Sequence, residues 1–447
     1  MPATNDLTAP APLRDDPHPR PPRSVVVVGA GLAGAQTAAA LRAHGFDGHL
    51  TVLGEEGLPP YDRPPLSKEL VSRTEPLWLR DDLGVDLDAL ADEVRLADPV
   101  VAVEPGPTLT TRSGDRLAPD AVVLACGSRP VLPPGWDADV LHTAADADRL
   151  RADLRPGTRL VIVGAGWIGA EVAGVAAGAG ADVTVLEAGP APLARQLGTD
   201  VGTHLVPWYA AAGARLRLDA TAAAVRRDGV TLTSGEEVPA DVVLVAVGAR
   251  PATAWLRATL PEVVFDPAGG LLVDAGGAVP GADGVWAVGD VASRPHPELG
   301  VVPGGHWSAA LHDPDATARA MLALPVEPPQ APYVFSRQLG HDLALFGLPE
   351  GPPTAWRGTP GTGSWAAFWT APTVGGPEDT DDGHATGTEH AGHGAGDGVA
   401  VVRAVLLVDA PKEVGAVRRA MNRPGPLRMD LERAGDPEVK LRTAVVT

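Results

Sequence analysis

The sequence predicts an α/β protein: two doubly wound units on parallel sheets, followed by a smaller antiparallel α+β unit. Three observations carry this prediction. Helix-like and strand-like runs alternate along most of the 447 residues, the pattern left by strands joined through crossover helices. Two runs, "SVVVVGAGLAGAQTAAALRAHG" and "RLVIVGAGWIGAEVAGVAAGAGADVTVLEA", each read as a buried strand, a glycine turn and a small-residue helix. Beyond about residue 329 the character changes. There "DLALFGL" (342–348), "SWAAFWT" (364–370) and "VAVVRAVLLVD" (399–409) read as strands, and "KEVGAVRRAMN" (412–422) as a short amphipathic helix.

In chain order, residues 1–23 come first, rich in proline and charge and lacking the apolar core of a secretory signal. They read as a disordered tail. No stretch of eighteen apolar residues follows, so no membrane helix is expected. The protein is expected to be soluble and cytoplasmic. A net charge of −20 argues against non-specific nucleic-acid binding, because phosphate contact needs a basic face. At 45% hydrophobic residues the chain can fill two or three cores. Its single cysteine, Cys126, allows no internal disulfide and, in the run "AVVLACG", reads as a small buried hydrophobe. Two-electron chemistry in this chain must rest on a bound cofactor.

The first glycine turn is Gly29-x-Gly31-x-x-Gly34. Gly29 permits the tight turn, Gly31 lets the backbone approach a diphosphate, and Gly34 lets helix and strand pack closely. The diphosphate would lie on the helix N-terminus, where unpaired N–H groups and the dipole favour negative charge. Glu55, 21 residues after Gly34 and read as ending the second strand, stands where a ribose hydroxyl pair needs an acceptor. The second turn, Gly164-x-Gly166-x-x-Gly169, is followed at 18 residues by Glu187. Two such units imply two dinucleotides. Glu187 is followed by Ala188, Gly189 and Pro190, with Arg195 further along. A carboxylate there accepts from a 2′-hydroxyl and repels a 2′-phosphate, which favours NAD over NADP. In "GVWAVGDVAS" (284–293), Gly289-Asp290 ends a short strand, and Asp290 reads either as an acceptor for a flavin's ribityl hydroxyls or as part of an ordinary strand-ending turn.

Between the first turn and Asp290 lies "PYDRPPLSKEL" (60–70). Pro60, Pro64 and Pro65 fix φ and remove donors, so this is a stiffened loop leading into a helix from Leu66. It presents Tyr61, Asp62, Arg63 and Lys68.

These residues, with "LACGSRP" (124–130), "VAVGARP" (245–251) and "AVGD" (287–290), resemble the FAD- and NAD(P)-dependent pyridine nucleotide oxidoreductases. The "PYDRPPLSKEL" run points to the ferredoxin-reductase branch. The resemblance covers about residues 24–325 and implies Rossmann-like domains: a discontinuous FAD domain (24–129 and 248–328), an NAD domain inserted in it (130–247), and an α+β interface domain (329–447). It implies that Gly29, Gly31, Ala33, Gly34, Glu55, Lys68, Arg129, Asp290 and Trp307 hold FAD. Gly164, Gly166, Gly169, Glu171 and Glu187 would serve NADH, with Arg63, Val100, Ile168, Gly248 and Gly289 also at cofactor positions. Lys68 would point toward the reactive part of the flavin, approached by Glu171, as the catalytic pair. The implied activity is hydride transfer from NADH followed by single-electron delivery to a [2Fe–2S] ferredoxin serving an oxygenase, in a monomer or homodimer without membrane attachment.

The C-terminal unit departs from the family. Where relatives show Trp-Ser-Asp-Gln, this chain has "YVFSRQ", with Phe335 for tryptophan and Arg337 for aspartate. Phe335 is open to two readings, packing beside the ring or ordinary core. Residues 374–398, with His384, His390 and His393, read as a disordered loop without a metal site. Arg403, Lys412, Arg418, Arg419, Arg423 and Arg428 form a basic cluster that could steer an acidic acceptor or serve as a solvated face. Alternative activities are an NADH oxidase or small-acceptor reductase on the same core, and a non-catalytic NADH-sensing flavoprotein.

Overall fold

The computed structural model describes residues 21–372 and 398–446. The expected tail, apart from residues 21–23, and the histidine-containing loop, apart from Gly398, lie outside the described residues. In chain order the first unit contains β1 (Ser24–Val28), α1 (Leu32–Ala43), β2 (His49–Leu53), the single-turn α2 (Pro65–Lys68), β3 (Glu93–Arg95), β4 (Ala121–Leu124) and β5 (Ser128–Pro130). The second contains α3 (Ala144–Asp153), β6 (Arg159–Val163), α4 (Trp167–Gly178), β7 (Asp182–Leu186), α5 (Thr199–Ala211), β8 (Arg215–Arg217), β9 (Val242–Val245) and β10 (Ala249–Pro251). The chain then returns to the first unit with β11 (Val285–Ala287) and α6 (Trp307–Met321).

The first sheet is parallel, in the order β11-β4-β1-β2-β3. The second is also parallel, in the order β9-β6-β7-β8. The second repeats the first without its outer strand β11, and in each the glycine turn follows an interior strand. Register aligns the carboxyl ends: Val28 pairs with Leu53 and Leu124, and Leu124 with Ala287. Ligand-facing residues that follow these strands therefore share one edge. β1 is apolar at every position after Ser24 because both sheet faces are covered: Val25 and Val27 enter one core, Val26 and Val28 the other. The units are joined by an antiparallel ribbon in which Arg129 of β5 pairs with Arg250 of β10.

The C-terminal unit comprises β12 (Tyr333–Gln338), β13 (His341–Gly347), β14 (Ala355–Arg357), β15 (Trp365–Thr370), β16 (Val399–Val408), α7 (Pro411–Met421) and β17 (Arg428–Asp430). Its sheet is antiparallel, in the order β12-β13-β16-β15-β14, with β17 on β16. Alternation along β16 separates two cores. Ala404, Leu406 and Val408 pack with the second unit, while Val405 and Leu407 pack beneath α7. Each such buried Leu or Val contributes about 1.5–3 kcal/mol relative to exposure, so the C-terminal sheet and the second unit share a continuous apolar seam.

Two expectations need correction. The helix expected from Leu66 is one turn, opened by Pro64 and Pro65 and ended at Glu69. The second strand stops at Leu53 rather than at Glu55. The N–H of Gly54 makes the last ladder bond, to Arg95 O, and Glu55 lies in the bend beyond.

Candidate functional site

Each glycine turn assigns its three glycines distinct tasks. Gly29 and Gly164 have φ of +115° and +106°, a region that L side chains rarely adopt. A Cβ on Gly34 would meet Gly29 O at 1.8 Å, and one on Gly169 would meet Gly164 O at 2.1 Å. Helix and turn therefore touch backbone to backbone. The middle glycines differ: a Cβ on Gly31 meets no described atom within 4 Å, and one on Gly166 meets only Ala246 O at 3.9 Å. Gly31 and Gly166 begin α1 and α4, and among the described residues no side chain caps either start. Both helices thus begin with uncapped N–H donors and with open space at the middle glycine. That donor set fits the diphosphate of FAD at the first turn and of NAD(H) at the second.

Acids and bases surround the turns. Glu187 accepts from Ala165 N (2.7 Å) and Gly189 N (2.8 Å), so its negative charge is held at the mouth of the second turn. Ala33, in the first turn of α1, packs against Gly289, where an added Cβ would come within 2.9 Å of Ala33 Cβ. The next residue, Asp290, accepts from Ser128 Oγ at 2.8 Å, and burial holds its carboxyl above the usual range. Glu55 pairs with Arg129 from the ribbon and, at 3.5 Å, with Arg112. Ala33, Gly289, Asp290, Glu55 and Arg129 lie around the first sheet's ligand edge. Gly248, φ +118°, precedes the ribbon, and its carbonyl accepts from Val131 N. Ile168 is exposed in the first turn of α4, whereas the Val100 side chain is buried in the apolar core.

The stiffened loop brings four polar side chains to specific partners. Tyr61 donates to Glu56 Oε2 (2.5 Å) and accepts from Ala144 N (2.9 Å). Arg63 donates to Glu56 and to His142 O. The His142 ring, buried beside the Arg63 guanidinium, is pushed down to about 4 and is neutral at physiological pH. Asp62 accepts from Trp307 Nε1 at 2.9 Å, and burial raises its carboxyl. Lys68 Nζ lies 2.8 Å from Glu171 Oε1, with the side chains 17% and 3% exposed. Lys68 comes from the first unit and Glu171 from the helix of the second glycine turn, so this ion pair crosses the seam between two nucleotide units. Glu171 also accepts from Ser67 Oγ and, at 2.6 Å, from Ser336 Oγ.

Sequence reasoning missed Ser67, Ser336, Ser128 and Glu56. Ser67 sits beside Lys68 and Ser336 between the two substituted positions of "YVFSRQ", but nothing local marks a serine as a carboxylate partner. Phe335 is not core: it is 41% exposed, because strand alternation turns Ser336 inward and Phe335 outward. Arg337 pairs with Asp342 at 2.8 Å near the surface. Within the basic cluster, Arg418 lies 4.7 Å over the Tyr333 ring and Arg403 donates to Leu299 O. Cys126 packs at the edge of the first unit's core, and burial pushes its thiol up to about 12.

A family model described as pyridine nucleotide-disulphide oxidoreductase matches residues 23–309. The ferredoxin–NAD(+) reductase component of the biphenyl dioxygenase system of Paraburkholderia xenovorans (strain LB400) is 36% identical over 348 residues, covering 74% of this chain and 82% of that protein. Rhodocoxin reductase of Rhodococcus erythropolis is 32% identical over 365 residues, covering 77% and 83%. The crystal structure of the covalent putidaredoxin reductase–putidaredoxin complex matches with a TM-score of 0.80 at 25% identity, covering 94% of this chain and 98% of that one. Among the described residues no helix is long and apolar enough to cross a membrane.

Proposed function

The chain belongs to the pyridine nucleotide-disulphide oxidoreductase family, enzymes that use FAD and NAD(H), and on that premise we propose that it takes hydride from NADH onto FAD and passes electrons singly to a [2Fe–2S] ferredoxin of an oxygenase system. The observation that carries this reading is the Lys68–Glu171 pair, which ties the first nucleotide unit to the helix that opens at the second glycine turn. Relatives named as ferredoxin reductases support the choice of acceptor. So does the single cysteine, which leaves no internal disulfide to receive electrons.

FAD, when bound, supplies the exchange between two-electron and one-electron chemistry. The chain's own residues supply alignment and charge. The helix starts at Gly31 and Gly166 hold the two diphosphates. Asp290 and Glu55 accept from hydroxyls of the first dinucleotide, and Glu187 accepts from the ribose of the second while repelling a 2′-phosphate, which sets the preference for NADH. The Lys68 ammonium, fixed by Glu171, stabilises negative charge developing beside it, in a site that excludes most water. Asp62 fixes the Trp307 indole where α6 begins.

Anaerobic rapid mixing of the flavin-loaded protein with NADH should bleach the visible flavin band, and added oxidised [2Fe–2S] ferredoxin should then be reduced. Purified protein that binds no flavin, or flavin that NADH does not bleach, would eliminate the reading. Rapid oxygen uptake without reduction of ferredoxin would replace it by an oxidase.

A further inference from the structure

Resting on that reading of the site, we propose that Ser336, contributed by the C-terminal unit, is a positioning residue that sets the geometry of Glu171 and, through it, of Lys68. A carboxylate only 3% exposed must have its lone pairs met by donors. Here Oε1 accepts from Lys68 Nζ at 2.8 Å and from Ser336 Oγ at 2.6 Å, and Oε2 accepts from Ser67 Oγ. Hydroxyl bonds to an ionised acceptor are short and about twice as strong as neutral ones. Without the Ser336 hydroxyl, Oε1 keeps Lys68 alone. The terminal torsion of a glutamate is soft, and the flexible lysine stem follows its partner.

Ser336 is itself 1% exposed and rigidly mounted. The β12–β13 turn carries Leu339 and Gly340 at φ of 52° and 87°. A Cβ on Gly174 of α4 would come within 2.8 Å of Leu339 N, so hairpin tip and helix meet at the backbone. Past the turn, the His341 ring stacks on Trp208 of α5 at 4.0 Å with 20° between planes, and its Nδ1 lies 2.6 Å from Asp409 Oδ2. The hairpin is therefore gripped by both α4 and α5, and it delivers one hydroxyl to the ion pair. Phe335 and Arg337, on either side, face away from it.

Ser336→Thr keeps a hydroxyl and Ser336→Val has the same shape without one, so any packing cost is shared. Both are compared with the parent chain in flavin-loaded, full-length form. The readouts are the resting flavin spectrum, the limiting rate of flavin bleaching at saturating NADH, the apparent NADH affinity and thermal melting. The valine variant should shift the resting spectrum and slow the limiting rate about tenfold or more, with NADH affinity changed less than about threefold. The threonine variant should stay within about threefold of the parent. Equal rates and spectra for the two variants would overturn the assignment, as would a loss of NADH affinity that accounts for all of the valine effect. If the valine variant does not retain flavin, Ser336→Ala is read against the threonine variant by the same criteria. A parent chain that NADH fails to bleach refutes the functional reading itself. Normal bleaching of the parent beside an unaffected valine variant refutes only the role of Ser336.

Discussion

Replacing Gly166 by alanine separates nucleotide binding from folding at a single methyl group. Gly166 has φ −79° and ψ −170°, extended backbone that alanine adopts freely. The new Cβ would meet only Ala246 O, at 3.9 Å, so stability without nucleotide should change by less than about 0.5 kcal/mol. That methyl group would instead stand in the space offered to the NAD(H) diphosphate. Moving the diphosphate off the first turn of α4 forfeits one charge-assisted hydrogen bond, worth about 1.5–3 kcal/mol. At about 1.4 kcal/mol per tenfold, the dissociation constant should rise roughly 10- to 100-fold. Calorimetric titration with NAD+ reads the affinity, while thermal melting of the nucleotide-free protein and its flavin content serve as controls. Gly169→Ala provides the contrast, since its Cβ would lie 2.1 Å from Gly164 O. It should lower stability by about 1–3 kcal/mol or more. Unchanged affinity in Gly166→Ala, or a greater loss of melting temperature there than in Gly169→Ala, would refute the assignment of tasks to these glycines.

Glu187→Gln removes the charge at the second turn and should reduce the preference for NADH over NADPH in kcat/KM by about tenfold; an unchanged ratio would show that another group selects the nucleotide. Cys126, with its thiol pushed up to about 12, should be about one part in ten thousand thiolate at pH 8. Its alkylation by iodoacetamide in the folded protein should be at least about a hundredfold slower than in denaturant, and fast labelling would contradict its burial. Asp313, whose carboxyl burial raises to about 6, binds its proton more tightly folded than unfolded. Its contribution to stability is therefore full below the unfolded value and is lost as pH rises toward 6 and beyond. The stability of Asp313→Asn relative to the parent should rise by about 2–3 kcal/mol between pH 4 and pH 7, measured by urea unfolding at each pH. A difference that does not vary with pH would contradict this.

The parallel-sheet units, both glycine turns and the C-terminal strands were legible in the sequence because their signals are local. Four valines in a row, a glycine that must reach positive φ and the alternation of "VAVVRAVLLVD" are settled within a few residues. Lys68 and Glu171 were marked only through the family resemblance, since a lysine and a glutamate near a helix start are locally ordinary. The error at Glu55 arose because a strand end depends on the neighbouring strand: β3 ends at Arg95, whose carbonyl takes the last ladder bond, from the Gly54 N–H. Phe335 stayed ambiguous because "YVFSRQ" does not say which face of its sheet meets the second unit. By itself, then, the sequence determined the fold class and the glycine spacing of each turn. Only the tertiary structure decided what completes the ion pair between them. Ser67 and Ser336 lie 104 and 165 residues from Glu171, and at those separations a donor is chosen by how whole units pack, which no local pattern encodes.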